Sequence, residues 1–468
     1  MTSPTVESTR PSTLLVLGLM AAVFLGVLDA QVTATALPRM VADLGGLDLF
    51  AWVTTAYLIA GSVATPLYGK LSDTAGRKIA FTTAVSVFAV GSLACALATS
   101  MPQLIAFRAV QGIGAGGLFV TAITVIADLA PPREAAKYYG HVSVVFGLAS
   151  LAGPAVGGLL TDALGWRSVF YLNLPIAAFA LTAIGSRLRL PVQRRRKSVD
   201  YAGIILLSAA IVAITLLGSW AGTAYAWTSP MILCLATGFV VLILTFIAAE
   251  RRATEPLIPL TLFRNPTFTL SVILSVIAGF VFLGSVNFLA LFTQLVTGAT
   301  PTLSGVVLLP MMLGLVLSSI ASTRFIRRTG TYKWFPVTSM ALGAVGALLL
   351  STMDADVPRA LLGAYMAVYG IAAGLNIQVL TQAAQNTAPR EHMGTVSSTI
   401  AFSRSVGTSL GISIFASIFN THLPSTTKYL PQDAADALTP VFLVATPILL
   451  VGLLFALSLK NDKIRNTR

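Results

Sequence analysis

Residues 14–38 read LLVLGLMAAVFLGVLDAQVTATALP. One ionisable residue, Asp29, stands in a stretch that is otherwise apolar or uncharged. An α-helix needs about 20 mostly apolar residues to cross a bilayer's hydrocarbon core. The apolar core of a secretory signal runs to about 7–15 residues, so residues 14–37 read as a retained membrane helix. Thirteen further stretches of the same kind follow: 50–71, 79–99, 102–128, 137–162, 167–188, 200–220, 230–249, 267–297, 303–325, 334–352, 357–380, 395–420 and 438–460. Several contain Gly or Pro, which membrane helices tolerate because neighbours re-satisfy the backbone.

Composition agrees. Of 468 residues 56% are hydrophobic and 10% charged, where a soluble chain carries about 25% charged residues; mean hydropathy is +0.84. Fourteen spans take up roughly 280 residues, which leaves no room for a large soluble domain.

The net charge of +13 does not mark a nucleic-acid partner, because the basic residues sit in short clusters between apolar stretches. With the amino terminus taken as cytoplasmic, 24 of the 30 Lys and Arg fall on that side. The other side holds Arg39, Arg167, Arg359 and Lys428, and Arg108 and Arg404 lie inside spans. The bias alternates through every loop, as the positive-inside rule requires. It predicts an even number of spans, both termini cytoplasmic, in a multi-pass protein of the cytoplasmic (inner) membrane. The longest basic run, 187–197, reads as a topology determinant lying on anionic headgroups.

Other function classes find little support. Cys95 and Cys234 lie in apolar stretches and read as small core or lipid-facing residues. The three His are scattered, and His141 reads as a solvated or satisfied side chain in preference to a proton relay. No metal or cofactor is expected, and no membrane enzyme, which would need His, Asp or Cys gathered at one face. No G-x-x-x-x-G-K-[ST] loop occurs, so direct ATP use is not expected. A sensor or scaffold would usually bring a soluble output domain.

Several motifs stand in order. After the second stretch comes Gly69-Lys-Leu-Ser-Asp73-Thr-Ala-Gly76-Arg77-Lys78; its glycines suit a close helix approach, and Asp73 can pair with Arg77 or cap the next helix. The fourth stretch carries Arg108-Ala-Val-Gln111-Gly-Ile-Gly-Ala-Gly-Gly117, and the fifth Gly153-Pro154-Ala-Val-Gly157-Gly158. The first has Leu28-Asp29 with Ala36-Leu-Pro38 at its outer end.

On these residues the chain resembles the major facilitator superfamily, and within it the fourteen-span drug:proton antiporters. The loop is similar to that superfamily's G-x-L-x-D-x-x-G-R-K signature, with Thr74 where a basic residue is usual, and the 153–158 run resembles its antiport motif. Asn173-Leu-Pro175, Glu255-Pro-Leu-Ile-Pro-Leu260 and Arg404-Ser-Val-Gly407 are further likenesses. The resemblance implies a monomer carrying a small-molecule substrate and protons. Residues 323–333 repeat the 69–78 loop weakly, with Phe325 for Leu71, Gly330 near the place of Gly76, and Arg327 for Asp73. The expected architecture is all-α: two six-helix bundles related by a pseudo-two-fold axis, over residues 1–190 and 263–468. A basic linker and two inserted helices (191–262) stand between them. Carriers built from such halves bind substrate near the midplane.

An ionisable residue mid-helix costs about 2.5–3.5 kcal/mol even on lenient scales, so Asp29, Arg108 and Arg404 call for roles. A free Asp titrates near about 3.9, and carrying protons near neutral pH asks for roughly two to three units more. Desolvation acts in that direction; water or a cation opposes it. Asp29 is therefore the candidate proton carrier, or else a buried hydrogen-bonding group. Arg108 keeps its proton; the resemblance implies a part in proton transfer, and a structural ion pair is the alternative. Arg404 reads equally as a substrate ligand or as a partner of a backbone carbonyl or a Gln. The residues Gly153, Pro154, Gly157 and Gly158 permit close packing and a kink, either for packing alone or as a seal against leakage. Candidate cavity residues are Gln31, Tyr57, Gln111, Asn287, Gln294, Asn376, Gln378 and Arg404. The function expected is proton-driven efflux of hydrophobic or amphipathic drug-like compounds, with a lipid or dedicated metabolite exporter as the alternative.

Overall fold

The structure is a computed structural model that describes residues 12–129, 132–187, 200–221, 224–253, 256, 258–387, 393–423 and 430–460. Residues 188–197 of the basic run, together with Arg10, Glu255, Arg390 and Lys428, lie outside it, as do the side chains of Asp73 and Arg327. The described residues form α1 (Thr13–Leu44), α2 (Phe50–Thr74), α3 (Arg77–Ala96), α4 (Met101–Leu129), α5 (Pro132–Leu164), α6 (Ser168–Tyr171), α7 (Asn173–Arg187), α8 (Tyr201–Trp220), α9 (Pro230–Arg252), α10 (Pro266–Ala278), α11 (Val286–Leu295), α12 (Pro301–Thr329), α13 (Trp334–Leu350), α14 (Arg359–Thr387), α15 (Met393–His422) and α16 (Pro431–Leu457). Among them, twelve helical segments are long and apolar enough to cross a membrane, with two shorter apolar helices at Ala202–Gly218 and Trp334–Leu350. The protein is a multi-pass, all-helical membrane protein.

Two spans expected to be continuous are interrupted, each for a local reason. α6 and α7 part at Leu172 because Pro175 has no N–H to return to the Tyr171 carbonyl. Between α10 and α11 a π-helical turn, Gly279–Leu283, intervenes. There the Val281 carbonyl accepts from the Tyr369 hydroxyl (2.9 Å) and from Ser285 Oγ, side-chain donors that compete with the regular ladder. α1, by contrast, continues past Pro38 to Leu44, which places Asp29 in the middle of the helix.

Small residues set the packing. α4 lies between α2 and α3: Gly112 abuts the Tyr57 backbone, Gly116 abuts Gly61, and Gly114 abuts Phe88. α14 packs on α12 through Gly370 against Met311 and Gly374 against Leu315. Without a hydrophobic drive between helices in lipid, such close backbone approach is a main source of association. A methyl group at Gly114 would lie 2.6 Å from the Phe88 Cα. Gly114→Val is therefore expected to cost about 3 kcal/mol or more, at the upper end of overpacking. A lowered Tm and loss of monodisperse protein in detergent would show it.

The first and second halves of the chain meet at the helix ends away from the termini. Gln294 Nε2 donates to the Thr35 carbonyl (2.8 Å), Asn287 Nδ2 to Thr54 Oγ1 (2.9 Å), and Asn420 Nδ2 to the Asp48 carbonyl (3.2 Å). Asp162 Oδ2 accepts from the Thr302 N–H at the start of α12 (2.8 Å). Phe50 meets Phe288 and Phe419 edge-on, with centroids 5.2 and 5.9 Å apart. α8 lies against α15, where Thr215 and Ser409 hydroxyls are 3.5 Å apart.

Candidate functional site

α1 and α7 each bring one polar residue, and α4 brings two, to a common point in an apolar surround. Asp29 is wholly buried, and its carboxylate collects three donors. Oδ2 accepts from Arg108 Nη1 at 2.7 Å. Oδ1 accepts from Gln111 Nε2 at 2.8 Å and from Asn173 Nδ2 at 2.7 Å. Helical spacing explains the pairing on α4: Arg108 and Gln111 are one turn apart, so both face α1. Arg108 Nη1 also donates to Gln111 Oε1 (2.7 Å), and its Nε to the Val53 carbonyl (3.3 Å). The guanidinium carbon lies 4.0 Å from the Tyr57 ring centroid, a cation–π contact in a dry setting.

A second layer orients the first. Asn173 Nδ2 spends its other hydrogen on Ser92 Oγ (2.9 Å), and Ser92 Oγ donates to the Phe170 carbonyl (2.9 Å). The carbonyl of Phe170 lies in α6, just before the break at Leu172, so the interruption in this span fixes the Asn173 amide. The Cys95 thiol approaches Gln111 Oε1 at 3.6 Å. Sequence reasoning had not placed Ser92, Cys95 or Asn173 in the site. The signal available was their polarity inside apolar spans, and for Asn173 its place beside the helix-breaking Pro175.

The cluster is therefore an ion pair sharing hydrogen bonds. A solvated Asp29 is not what the helices hold. Removing either partner would leave the other as a buried, unpaired charge, an arrangement several kcal/mol less stable.

The other sequence candidates separate into groups. Tyr57 and Gln111 belong to the cluster. Asn287 and Gln294 bridge the two halves and Gln31 packs on Gly153, so all three act at helix contacts. Gln378 is exposed on α14, and Asn376 is fully buried with neither amide atom paired. Arg404 is half-buried and donates from Nη1 to the Ile377 carbonyl (3.4 Å). In the 69–78 loop, Gly76 has φ +98°, a conformation that favours glycine. Among the described residues, nothing lies within 4 Å of the place a side chain at Gly69 would take. Arg77 donates to Ser72 Oγ (2.8 Å), and Lys78 Nζ to the Gly185 carbonyl (2.6 Å) near the end of α7, where a cation suits free carbonyls. Glu250, at the end of α9, is buried and accepts from the Ile258 N–H (3.2 Å). His141 is exposed, as expected.

The family model of the Major Facilitator Superfamily matches residues 19–203 and 201–412. The chain belongs to the major facilitator superfamily. Multidrug resistance protein 3 of Bacillus subtilis (strain 168) is 38% identical over 403 residues, 86% of this chain and 78% of the relative. The multidrug transporter protein MdtP of the same organism is 36% identical over 408 residues, 87% of this chain and 75% of the relative. Among solved structures, an auto-inhibited POT family peptide transporter superposes with TM-score 0.69 at 16% identity, covering 97% of this chain and 98% of the other. A D-xylose-proton symporter does so with TM-score 0.67 at 15% identity, covering 96% and 98%. These two likenesses show the fold. As a member of the superfamily the chain is a transporter of small-molecule substrates and not an enzyme.

Proposed function

We propose that the chain exports hydrophobic or amphipathic drug-like compounds across the cytoplasmic membrane by alternating access, driven by proton entry. The observation that carries this is the Asp29–Arg108 pair, 2.7 Å apart and dry, in the middle of a membrane helix. Intramembrane ionisable pairs mark ion pathways. Two relatives at 36% and 38% identity bear multidrug names, which supports the cargo class. The work falls to this chain's own groups. Arg108, Gln111 and Asn173 hold the deprotonated carboxylate while the pair is closed, and a proton reaching Asp29 dissolves the pair and loosens α1 from α4. Loss of that proton on the opposite side restores it.

In this proposal the two short apolar helices also cross, giving fourteen spans in a six, two and six arrangement with both termini cytoplasmic. Seventeen residues rise about 25 Å, near the lower limit for a span. Residues 1–190 and 263–468 form the two pseudo-symmetric bundles, joined by 191–262. The contacts between halves at the ends of α1, α2, α11, α12 and α15 then close the outer face.

The test is transport in proteoliposomes with an acidic lumen, across cationic, neutral and zwitterionic drugs. Each unit of pH difference is worth about 1.4 kcal/mol per proton, a factor of ten in accumulation. Lumenal accumulation that rises with the gradient and collapses with a proton ionophore is expected. Accumulation indifferent to the gradient would rule out proton drive.

A further inference from the structure

The second half of the chain carries a membrane cation that the Asp29 pair does not use. Arg404 on α15 makes one hydrogen bond, from Nη1 to the Ile377 carbonyl at 3.4 Å, a carbonyl that also accepts from Thr381 Oγ1 at 3.4 Å. Among the described residues no carboxylate forms an ion pair with it. A guanidinium offers five N–H donors in a fixed fork, so most of this one's capacity is uncommitted. Asn376, the residue before Ile377, is completely buried, and both its Nδ2 and its Oδ1 lack a partner. Buried amides left unpaired are uncommon and call for an explanation. Each of the two residues stands eleven positions from the end of its helix at the α14–α15 connection. That is about 16 Å of rise for both, the same depth. Packing holds the cation's backbone in place, since Gly279 of the π-helical turn abuts the Arg404 carbonyl and Gly407 abuts Val276.

We propose that Arg404 and Asn376 form an acceptor-binding subsite for the transported solute, taking the carboxylate of an amphipathic molecule. The guanidinium fork matches a carboxylate with two parallel hydrogen bonds, and the Asn376 amide, at the same depth and one residue before the carbonyl that Arg404 meets, offers an unspent donor. That the ligand is cargo rests on the export reading above. The consequence concerns coupling. Substrate sits against the second half while the proton pair belongs to the first, so cargo and proton do not compete for Asp29 and communicate through the packing of the two halves.

Binding to the purified full chain in detergent tests this without any gradient, so its failure is distinct from failure of proton-driven export. The probes are rhodamine 110, with a free carboxylate, and its methyl ester rhodamine 123, followed by fluorescence anisotropy. Wild-type protein is expected to bind the acid about tenfold more tightly than the ester, the range of one charge-assisted hydrogen bond. Arg404→Gln removes that preference with ester affinity kept within about twofold, whereas Arg404→Lys, which keeps the charge but not the fork, retains part of it. Asn376→Ala weakens the acid by several-fold and serves as the second variant should Arg404→Gln fail to fold. A wild-type protein that binds the acid no better than the ester overturns the proposal, as does equal loss of both probes in Arg404→Gln. Displacement of the acid by equimolar phosphatidylglycerol in mixed micelles assigns the subsite to a lipid headgroup and overturns it as well.

Discussion

Asp29→Asn is expected to abolish pH-gradient-driven transport, by about a hundredfold or more, in protein that still inserts and folds. The substitution keeps the shape of the side chain and leaves one oxygen to accept from Arg108. It replaces the other oxygen with an NH₂ group that faces two donors, Gln111 Nε2 and Asn173 Nδ2. An amide NH₂ accepts from neither, so both contacts are lost as they stand, and Arg108 remains buried without a counter-charge. Removing one partner of a buried pair costs about 3–5 kcal/mol, so a fall in Tm accompanies the loss of function. Stability and transport are separated by a second variant, Asp29→Asn with Arg108→Gln, which removes both charges. It is expected to recover most of the Tm and none of the proton drive. Both are read in proteoliposomes: thermal unfolding by tryptophan fluorescence, and drug accumulation against a two-unit pH step. Accumulation by either variant at the wild-type level would remove Asp29 from the proton path.

How much of this was legible beforehand differs between fold and site. Spans are set by about 20 residues of local apolar character, and a helix must satisfy its backbone internally in lipid. Run length therefore located nearly every helix. The π-helical turn at Gly279–Leu283 was not legible, because its cause is the Tyr369 hydroxyl, 88 positions away from the Val281 carbonyl it meets. Asp29 and Arg108 stood out because charge inside a span is expensive, yet their pairing spans 79 positions and needs the α1–α4 approach. Ser92 and Cys95 carry no such signal; small polar residues are common in membrane helices and acquire meaning from what they touch. Gln31, Asn287 and Gln294 have the same outward signature whether they stitch helices or line a cavity, and the contacts they make here could be read only from the structure.

Gly157→Leu is expected to stop transport almost completely while wild-type levels of protein reach the membrane. α5 lies between the two halves. On one side Gly153 rests on Gln31, and Gly157 meets Thr35 and Val32, whose Cα lies 2.7 Å from the place a side chain would take. On the other side Gly158 abuts Pro301 and Thr302 of α12, and Gly305 of α12 abuts the Pro154 carbonyl. One helix thus presents small residues to α1 and to α12 within about one turn, near the end where the halves meet. If that end must open for cargo to leave, α5 is the surface on which the halves separate and reclose. A leucine at 157 wedges α1 from α5 and prevents tight closure, at the overpacking cost of about 1–3 kcal/mol or more. Gly157→Ala, with a smaller wedge, is expected to leave partial activity. A passive leak distinguishes a seal from mere packing. Protein-loaded vesicles of Gly157→Leu should dissipate an imposed pH gradient several-fold faster than wild type, because a face that cannot close lets protons through uncoupled. If dissipation is unchanged and drug accumulation is normal, the glycines serve packing alone, and the seal lies elsewhere along the α1–α11 and α2–α15 contacts.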